Sequence, residues 1–529
     1  MKEQIILKKA NYRNNMFIKI FNEFKKDFFL NKNEKKFIKN LNKIRKYNSY
    51  NNKNIFITIA TDYFHLCQTS FLIKSSKYKN YNIIGIWNYN ISPNWKNENF
   101  ILELLVTIKN KIKTYFLKKK WTKLYTAIGV NQIIDTNNFS LMEYFKSENE
   151  SKNILNKIQS VKKEKFLKLK LNNIVIGDLI IDTYIRFRNI QTIEFKDFFL
   201  KKIIKKFIIS QKLIHRSIEK FKPEIFISNF SNYSNGVVVR TALKENIKVF
   251  CTGDTMSYLK KLSKKDSSTH TSYKNFKNLF KNLRSKDKKL KKSRIELKKR
   301  FSGVKDEAFF YMKKNPYRKS SKKLKFKTDG VLFLHDFFDT PHHFKSMIFM
   351  DFYDWAIYSL NIIRKNKLNI AVKPHPNSIY QNKVVVEKLK KMFPEIKWID
   401  PSVTNSYLFK SGIKFGISVY GTVLYELAYH NLVPIASTPY HPTYNYDVVY
   451  TPKNKNDYSN LLINSNKLKL KKNLKKKIEE FYYMWTFYNH DAIIKTGREI
   501  KLKNIDFSKS NSLDEYFKRL TQYMKISAR

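Results

Sequence analysis

Cysteine, glycine, proline and acidic side chains are all scarce in this chain. Its 529 residues include 2 Cys, 11 Gly and 12 Pro. Two cysteines, Cys67 and Cys251, are too few for a disulfide framework or a cysteine-rich zinc site. So few Gly and Pro exclude collagen-like, linker-like and low-complexity chains. We therefore expect a reduced, cytoplasmic protein whose length corresponds to two or three domains of about 100–200 residues each.

Long apolar runs are also missing. No stretch approaches the roughly 20 apolar residues that a membrane-spanning helix needs. The first residues lack the apolar run and the small-residue cleavage site of a signal peptide. Residues 1–50 are predicted to form a basic amphipathic segment, because phenylalanines and isoleucines alternate there with lysines. Such a segment is compatible with a helix lying on an anionic membrane and with an ordinary helix packed on a domain.

Positive charge is in large excess. The chain has 104 Lys+Arg against 43 Asp+Glu, which gives a formal net charge of +61. The excess reflects either compositional drift on solvated faces or attraction to nucleic acid, acidic lipid head groups or a phosphorylated substrate. The lysines are spread along the chain and no nucleic-acid-binding motif is present, so nucleic acid is not the expected partner.

Short apolar runs alternate with helical stretches in two successive series, which predicts an α/β fold with parallel sheets. We expect two facing Rossmann-like domains with a cleft between them. The first spans 51–256 and binds the acceptor, and the second spans 329–500 and binds the nucleotide. They are joined by a basic connection at 257–328 and followed by a tail or helix at 501–529. Within the series, strand-like character is assigned to 123–134 and 396–399, and a polar loop to 176–184.

One run of residues follows a predicted strand of the second domain and suits a phosphate: Lys373-Pro374-His375-Pro376. Ligands of open α/β sheets bind beyond the carboxyl ends of strands. The two prolines stiffen the loop that presents His375, whose imidazole can donate a hydrogen bond to a phosphate oxygen, and Lys373 adds a positive charge. A rigid turn with a structural histidine is the alternative.

A second run, from Phe415 to Thr422, reads as a strand, a loop of small residues and the start of a helix. The hydroxyls of Ser418 and Thr422 and the backbone N–H groups of the helix start favour an anion site, and Gly421 of the same small-residue loop is included among its candidate binding residues. The run is neither a Walker loop nor a dinucleotide fingerprint. Thr422 is equally compatible with a plain N-cap. Glu426, one turn later, is predicted either to accept hydrogen bonds from ribose hydroxyls or to face solvent.

Histidines and aspartates cluster from Leu334 to His343, directly after the first strand of the second domain. The spacing matches no zinc pattern, so we expect no metal and interpret the run as a loop that faces the substrate, with a structural role as the alternative. A carboxylate of the first domain is expected to act as general base. The catalytic candidates are Asp62, His335 and Asp336.

The two C-terminal runs, taken together, resemble the His-Pro and Ser/Thr motifs of bacterial surface-polysaccharide glycosyltransferases of the GT-B type. These include Kdo transferases and polysialyltransferases, which use CMP-sugars. The resemblance spans roughly 174–450 and includes 177–184, 335–337 and 351–355. It implies a GT-B-like fold in which His375, Ser418 and Thr422 hold the phosphates of the donor. The family loop often has paired hydroxyl residues, whereas Val419-Tyr420-Gly421 separates them here.

The sequence therefore predicts a metal-independent glycosyltransferase that moves a sugar from a nucleotide-sugar donor to a surface polysaccharide or lipid-linked acceptor. The nucleotide-sugar is a substrate, so no cofactor is expected. Its partners would be the donor, a glycan or glycolipid acceptor and an anionic membrane surface on the inner face of the cytoplasmic membrane. Three alternatives stay open: a CDP-alcohol phosphotransferase of the teichoic-acid type, a nucleotide-sugar epimerase, and a non-enzymatic nucleic-acid-binding protein.

Overall fold

The computed structural model describes most of the chain, as the following ranges: 29–32, 34–35, 38–39, 53–61, 65–66, 69, 81–88, 100–159, 163–251, 260–268, 275–304, 316–317, 320, 322–344, 347–376 and 380–488. Nearly all of the predicted N-terminal segment 1–50 lies outside the described residues. The catalytic candidate Asp62 and the predicted tail at 501–529 lie outside them as well.

The first lobe is organised around a sheet with the strand order β3-β2-β1-β6-β7-β8, parallel throughout except for β8. Strands β4 and β5 form a separate antiparallel pair. In chain order the strands are β1 (Asn54–Thr58), β2 (Asn82–Trp87), β3 (Gln132–Asp135), β4 (Lys170–Leu171), β5 (Ile174–Val175), β6 (Ile225–Ser228), β7 (Lys248–Cys251) and β8 (Lys260–Lys261).

The described helices of the first lobe are α1 (Phe100–Ile128), α2 (Leu141–Gln159), α3 (Lys163–Phe166), α4 (Gly177–Tyr184), α5 (Phe198–Phe221) and α6 (Tyr233–Lys244). A π-helical turn, Ile185–Asn189, continues α4. In helix α5, individual residues set where the helix begins and where it ends. Asp197 caps its start by accepting from the Phe199 N–H over 2.9 Å, and Lys222 ends it with a left-handed backbone (φ 43°). Such a residue stops the helical ladder.

The second lobe has the four-stranded parallel sheet β10-β9-β11-β12, in which all four strands are buried. Burial on both faces explains their continuous apolar sequences. The strands are β9 (Gly330–Phe333), β10 (Ile370–Lys373), β11 (Phe415–Ser418) and β12 (Val433–Ala436). The helices are α7 (Phe276–Lys281), α8 (Lys286–Phe301), α9 (Phe352–Lys365), α10 (Tyr380–Met392), α11 (Asn405–Lys410), α12 (Val423–Tyr429), α13 (Lys455–Ile463) and α14 (Leu474–Thr486), with short 3-10 turns at Tyr444–Tyr446 and Ser465–Lys467.

Helices α7 and α8 come from the segment predicted as a basic connection, 257–328, and they pack into the second lobe. Phe280 and Leu297 share a buried apolar cluster with Leu424 and with Phe481 of α14. The apolar residues of α8 recur at Leu290 and Leu297 between lysines, so one face is buried while the others stay solvated. Residues 275–304 are therefore part of the second lobe's core.

The predicted α/β class with two Rossmann-like parallel sheets is confirmed, while three local predictions are wrong. Residues 123–128 continue α1, because its apolar residues keep helical spacing and bury in the core, and the strand starts only at Gln132. Residues 396–399 form a single bridge, between Trp398 and Val372. The polar loop assigned to 176–184 is the fully buried helix α4, whose aspartates are held by charged partners.

The start of α6 and the segment after the π-helical turn of the first lobe contact the segment between β9 and α9 of the second lobe. The Tyr233 hydroxyl lies 2.5 Å from Thr340 Oγ1, and the Thr192 hydroxyl donates to Asp351 Oδ2 over 2.6 Å. A cavity of about 620 Å³ lies between the lobes, lined by residues of both. The segments that follow β6 and β9 at the carboxyl ends of the two sheets therefore face each other, through Tyr233 and Thr340. Among the described residues, no helix is both long enough and apolar enough to cross a bilayer.

Candidate functional site

The second sheet has a topological switch point between β9 and β11. The chain leaves β9 for β10 on one side and then returns to β11 on the other. Loops at such a point diverge and leave a crevice beyond the carboxyl ends of the strands. His335 follows β9 and Ser418 ends β11, and His335 Nε2 lies 3.2 Å from Ser418 Oγ. The switch point thus brings together two residues that are distant in the chain.

An aromatic cage fixes the His335 ring. The ring stacks on Phe352 with a centroid distance of 4.6 Å and an interplanar angle of 7°, and Tyr420 lies 5.0 Å away. Burial, and to a lesser extent the neighbouring His375, lower the pKa of His335 to about 3, against the opposing effect of Asp339. His335 is therefore a neutral imidazole near pH 7, with one nitrogen able to accept a proton.

The Lys373–Pro376 loop lies next to this histidine. Lys373 is the last residue of β10 and only 2% exposed, so its charge acts in a medium of low polarity. His375 is half-buried between Pro374 and Pro376. Burial, with a smaller contribution from Lys373, lowers the pKa of His375 to about 4, against the opposing effect of Asp339. The loop presents a buried cation and a second neutral imidazole to the crevice.

The loop after β11 completes the site. Ser418 is buried, and its hydroxyl lies 3.3 Å from the Phe333 carbonyl as well as near His335. Thr422 already has a helical backbone (φ −57°, ψ −24°) and makes no capping hydrogen bond with its side chain. A Cβ on Gly421 would lie 3.1 Å from Ser418 Oγ and 3.7 Å from His335 Cε1. The glycine therefore leaves open the space in front of both side chains.

Glu426 is held inside the protein. Its carboxylate accepts from Arg300 Nη2 over 2.6 Å, and the two side chains are 2% and 0% exposed. Arg300 comes from α8, and its guanidinium lies 5.6 Å from the ring centroid of Tyr425. Glu426 also borders the crevice. Its observed partner is a buried arginine, so the predicted solvent-facing alternative is wrong.

Together these loops enclose a cavity of about 110 Å³. Lys373, His375, Ser418, Gly421, Thr422 and Glu426, all predicted to bind the nucleotide, line it together with His335. Pro316 and Asn405 also line it and were missed by the sequence reasoning, because neither follows a strand of the sheet. A positive charge and several hydrogen-bond donors around a small space are suited to a phosphate group.

The remaining residues of the 334–343 run either stabilise the loop or contact the first lobe. Asp336 Oδ1 accepts from the Phe338 N–H over 3.0 Å, which makes it a turn residue. Asp339 is exposed, and its negative charge partly opposes the lowering of the pKa of His335 and of His375. Its carboxylate therefore lies near both rings. In the sequence analysis this position was included only as part of the 334–343 run.

His342 reaches across to the first lobe and lies 2.7 Å from Asp182, with both side chains buried. Burial opposes the charged imidazolium, but the carboxylates of Asp182 and Asp178 outweigh it and raise the pKa of His342. Asp178 is in turn held by a bidentate pair of bonds from Arg240, of 2.7 and 2.6 Å. These two aspartates of the first lobe are therefore occupied by internal partners.

The first sheet has a matching switch point between β1 and β6. There the Thr58 hydroxyl donates to Ser228 Oγ over 3.0 Å. Asp62 follows β1 in the sequence but lies outside the described residues. Within the ranges that the structure describes, no group of three or more His, Cys, Asp or Glu residues is arranged to hold a metal ion.

No protein-family model matches this sequence, and no curated protein matches it. Solved structures that are similar include the following three. A UDP-GlcNAc 2-epimerase from Neisseria meningitidis is 9% identical with a TM-score of 0.25, covering 85% of this chain and 100% of that chain. A glycosyltransferase from Rickettsia africae is 11% identical with a TM-score of 0.25, and the match covers 87% of this chain and 100% of that chain. The wall teichoic acid polymerase TagF is 12% identical with a TM-score of 0.20, and the match covers 97% of this chain and 98% of that chain. Values this low assign no function to the chain.

Proposed function

We propose that this protein is a glycosyltransferase that takes a sugar from a nucleotide-sugar donor and transfers it to a glycan or glycolipid acceptor. One observation carries the proposal. The cavity at the switch point of the second sheet is lined by Lys373, His375, Ser418 and Thr422. A buried cation, an imidazole and two hydroxyls converging on one small space suit the phosphates of a nucleotide.

The same groups suit the chemistry of glycosyl transfer. The acceptor oxygen attacks the anomeric carbon, and the bond from that carbon to the phosphate oxygen breaks. The nucleotide leaves with the bonding electron pair, so negative charge grows on its phosphate. Lys373 attracts that charge, and His375, Ser418 and Thr422 donate hydrogen bonds to it. Because these donors are held in place before the reaction, each is worth about 2–4 kcal/mol of transition-state stabilisation.

A base must accept the proton of the acceptor hydroxyl. His335 is our proposed base, because it is neutral, lies beside Ser418 and borders the cavity. The negative charge of a bound phosphate would raise the pKa of His335 from about 3 toward the working range. Asp336 and Asp62 remain the carboxylate candidates for the same role.

Nucleotide binding is the first test. CMP, CDP, UDP and GDP should be titrated while the melting temperature is recorded, and we expect at least one to raise it. A ligand at about 100 times its Kd stabilises the folded state by roughly 2.7 kcal/mol. His375→Ala should abolish most of the shift. His215→Ala is the matched control, since His215 lies on the surface of α5. If no nucleotide shifts the melting temperature, the phosphate assignment is wrong.

The products identify the reaction. With the nucleotide-sugar that corresponds to the stabilising nucleotide, a glycosyltransferase releases the nucleotide and extends an acceptor. Interconversion of the donor sugar without an acceptor would instead show an epimerase. Release of CMP from a CDP-alcohol with transfer of the alcohol phosphate would show a phosphotransferase. Either result would overturn glycosyl transfer while leaving the phosphate site intact.

A further inference from the structure

The segment between β9 and α9 is held by the first lobe at two positions. The Tyr233 hydroxyl, at the start of α6, lies 2.5 Å from Thr340 Oγ1. Two residues later, the carboxylate of Asp182 in α4 accepts from the His342 backbone N–H over 3.3 Å and lies 2.7 Å from its ring Nδ1. Thr340 and His342 are both buried. The position of 340–342 therefore depends on where the first lobe lies.

The same segment holds the loop after β11. The Tyr420 hydroxyl donates to the Thr340 carbonyl over 2.7 Å. Tyr420 lies in the chain between Ser418 and Thr422, and its ring centroid is 5.0 Å from that of His335. Thr340 thus contacts the first lobe through its hydroxyl and the loop at the crevice through its carbonyl.

Tyr233 is presented by an unusual backbone. Its φ of 52° lies in the left-handed region, which is rare for a bulky side chain. Such a conformation persists only where its surroundings hold it, and conformations of this kind concentrate at functional sites. The Tyr233 ring packs edge-on against Phe187 with centroids 5.5 Å apart. Burial raises the pKa of Tyr233 and of Tyr420, so both phenols keep their protons and can donate hydrogen bonds.

We propose that Tyr233 and Tyr420 are positioning residues that act through Thr340 and couple the contact between the lobes to the placement of the loop after β11. Neither tyrosine lines the crevice, so each acts through the groups that do. A displacement of about 1 Å in such groups can cost about a hundredfold in rate. The effect on rate rests on the proposed function, whereas the coupling between lobe and loop does not.

Steady-state turnover of the full-length protein tests the effect on rate, with the donor of the stabilising nucleotide. Tyr420→Phe keeps the ring beside His335 and removes only the hydrogen bond to Thr340. We expect kcat to fall about tenfold or more, because the phosphate donors lose their alignment. The KM for the donor should change less than about threefold, since that alignment matters most in the transition state. The matched control is Tyr450→Phe, whose hydroxyl donates to the Lys469 carbonyl over 2.9 Å, and it should keep the wild-type kcat.

Thr340 offers a conservative pair of variants. Thr340→Val removes the hydroxyl that contacts Tyr233 and should lower kcat as Tyr233→Phe does. Thr340→Ser keeps the hydroxyl and should retain most of the wild-type kcat. In the doubly substituted Tyr233→Phe/Tyr420→Phe protein, the loss of kcat should be smaller than the product of the two single losses, because both residues act through Thr340. Melting temperatures of all variants check the fold.

Hydrogen–deuterium exchange of the protein without nucleotide measures the coupling independently of turnover. The backbone amides of 419–426 are the readout, and among them the Leu424 N–H donates to the Gly421 carbonyl over 3.1 Å. Tyr233→Phe, a change in the first lobe, should raise their exchange rates at least about twofold through local opening. The control is Tyr81→Phe, another first-lobe tyrosine, whose hydroxyl donates to Glu224 over 3.1 Å, and it should leave these amides unchanged.

Several results would overturn the proposal. Exchange of 419–426 could stay the same in Tyr233→Phe, or kcat could fall as far in Tyr450→Phe as in Tyr420→Phe. Thr340→Ser could lose as much activity as Thr340→Val, with a lower melting temperature in both, which would make the contact structural only. A wild-type protein that releases no nucleotide would refute glycosyl transfer alone, and the exchange rates would still decide the coupling.

Discussion

The Arg300 guanidinium donates to the Glu426 carboxylate over 2.6 Å, in a part of the second lobe where neither side chain reaches solvent. This pair joins α8, from the segment between the sheets, to α12, which starts at the crevice. It therefore couples the packing of that segment to the position of the loop that carries Ser418 and Thr422.

We predict that breaking this pair on one side is costly. Arg300→Met leaves the Glu426 carboxylate buried without its cation and should lower the free energy of unfolding by about 3–5 kcal/mol. Urea denaturation measures this directly. Lys299→Met on the same helix is the matched control, because Lys299 pairs with Glu296 at the surface, and it should cost about 0–1 kcal/mol. Equal losses of unfolding free energy in both variants would show that the buried pair contributes no more to stability than the surface pair.

A second prediction concerns turnover at the crevice. His375→Ala removes one donor to the leaving phosphate and should lower kcat about ten- to a thousandfold. Thr422→Val should act in the same direction but less, because Lys373 and the other donors remain. Nucleotide release from the donor measures both, and the melting temperature checks the fold. Full activity of His375→Ala, or loss of activity only through unfolding, would make His375 a structural residue.

A third prediction follows from the low pKa values of His335 and His375, about 3 and about 4. In the unfolded chain both histidines titrate near pH 6.5. As the pH falls below that value, the unfolded state binds protons that the folded state does not, so stability falls. The slope is about 1.4 kcal/mol per pH unit for each histidine down to its folded pKa.

This slope is measured by denaturation between pH 7 and pH 4, and the doubly substituted His335→Gln/His375→Gln protein should show a shallower one. His215→Gln, at the surface of α5, is the matched control variant. A slope that does not change in the double variant would show that other groups, such as the buried His441, dominate the acid response.

A fourth prediction compares Gly421, in the loop after β11, with Gly416, inside β11. A Cβ at Gly421 would lie in the crevice, 3.1 Å from Ser418 Oγ. Gly421→Ala should therefore weaken nucleotide binding with little effect on stability. A Cβ at Gly416 would lie 2.5 Å from a Leu427 methyl and 2.9 Å from the Phe333 ring, in the core. Gly416→Ala should instead cost about 1–3 kcal/mol of stability through overpacking. Calorimetric titration and urea denaturation should separate the two variants, and the reverse pattern would place the crevice elsewhere.

The two α/β series and the loops that follow their strands were predictable from the amino-acid sequence. Hydrophobic periodicity is a local property, and a buried parallel strand such as Val433–Ala436 is recognisable from its own residues. Because loops beyond strand ends share one edge of a sheet, the sequence also placed His375 and Ser418 in the same crevice. It misjudged 177–184, where two aspartates suggested a loop.

The partners of the charged residues, in contrast, depend on how the folded elements pack against one another. Asp182 pairs with His342 of the other lobe, and Arg300 pairs with Glu426, which is distant from it in the sequence. No local pattern encodes such pairs, since they depend on how separate elements cross after the cores have formed. The same holds for His335 and Ser418, which become neighbours because the chain returns past β9 to form β11. Burial then keeps the imidazoles of His335 and His375 neutral beside the buried Lys373.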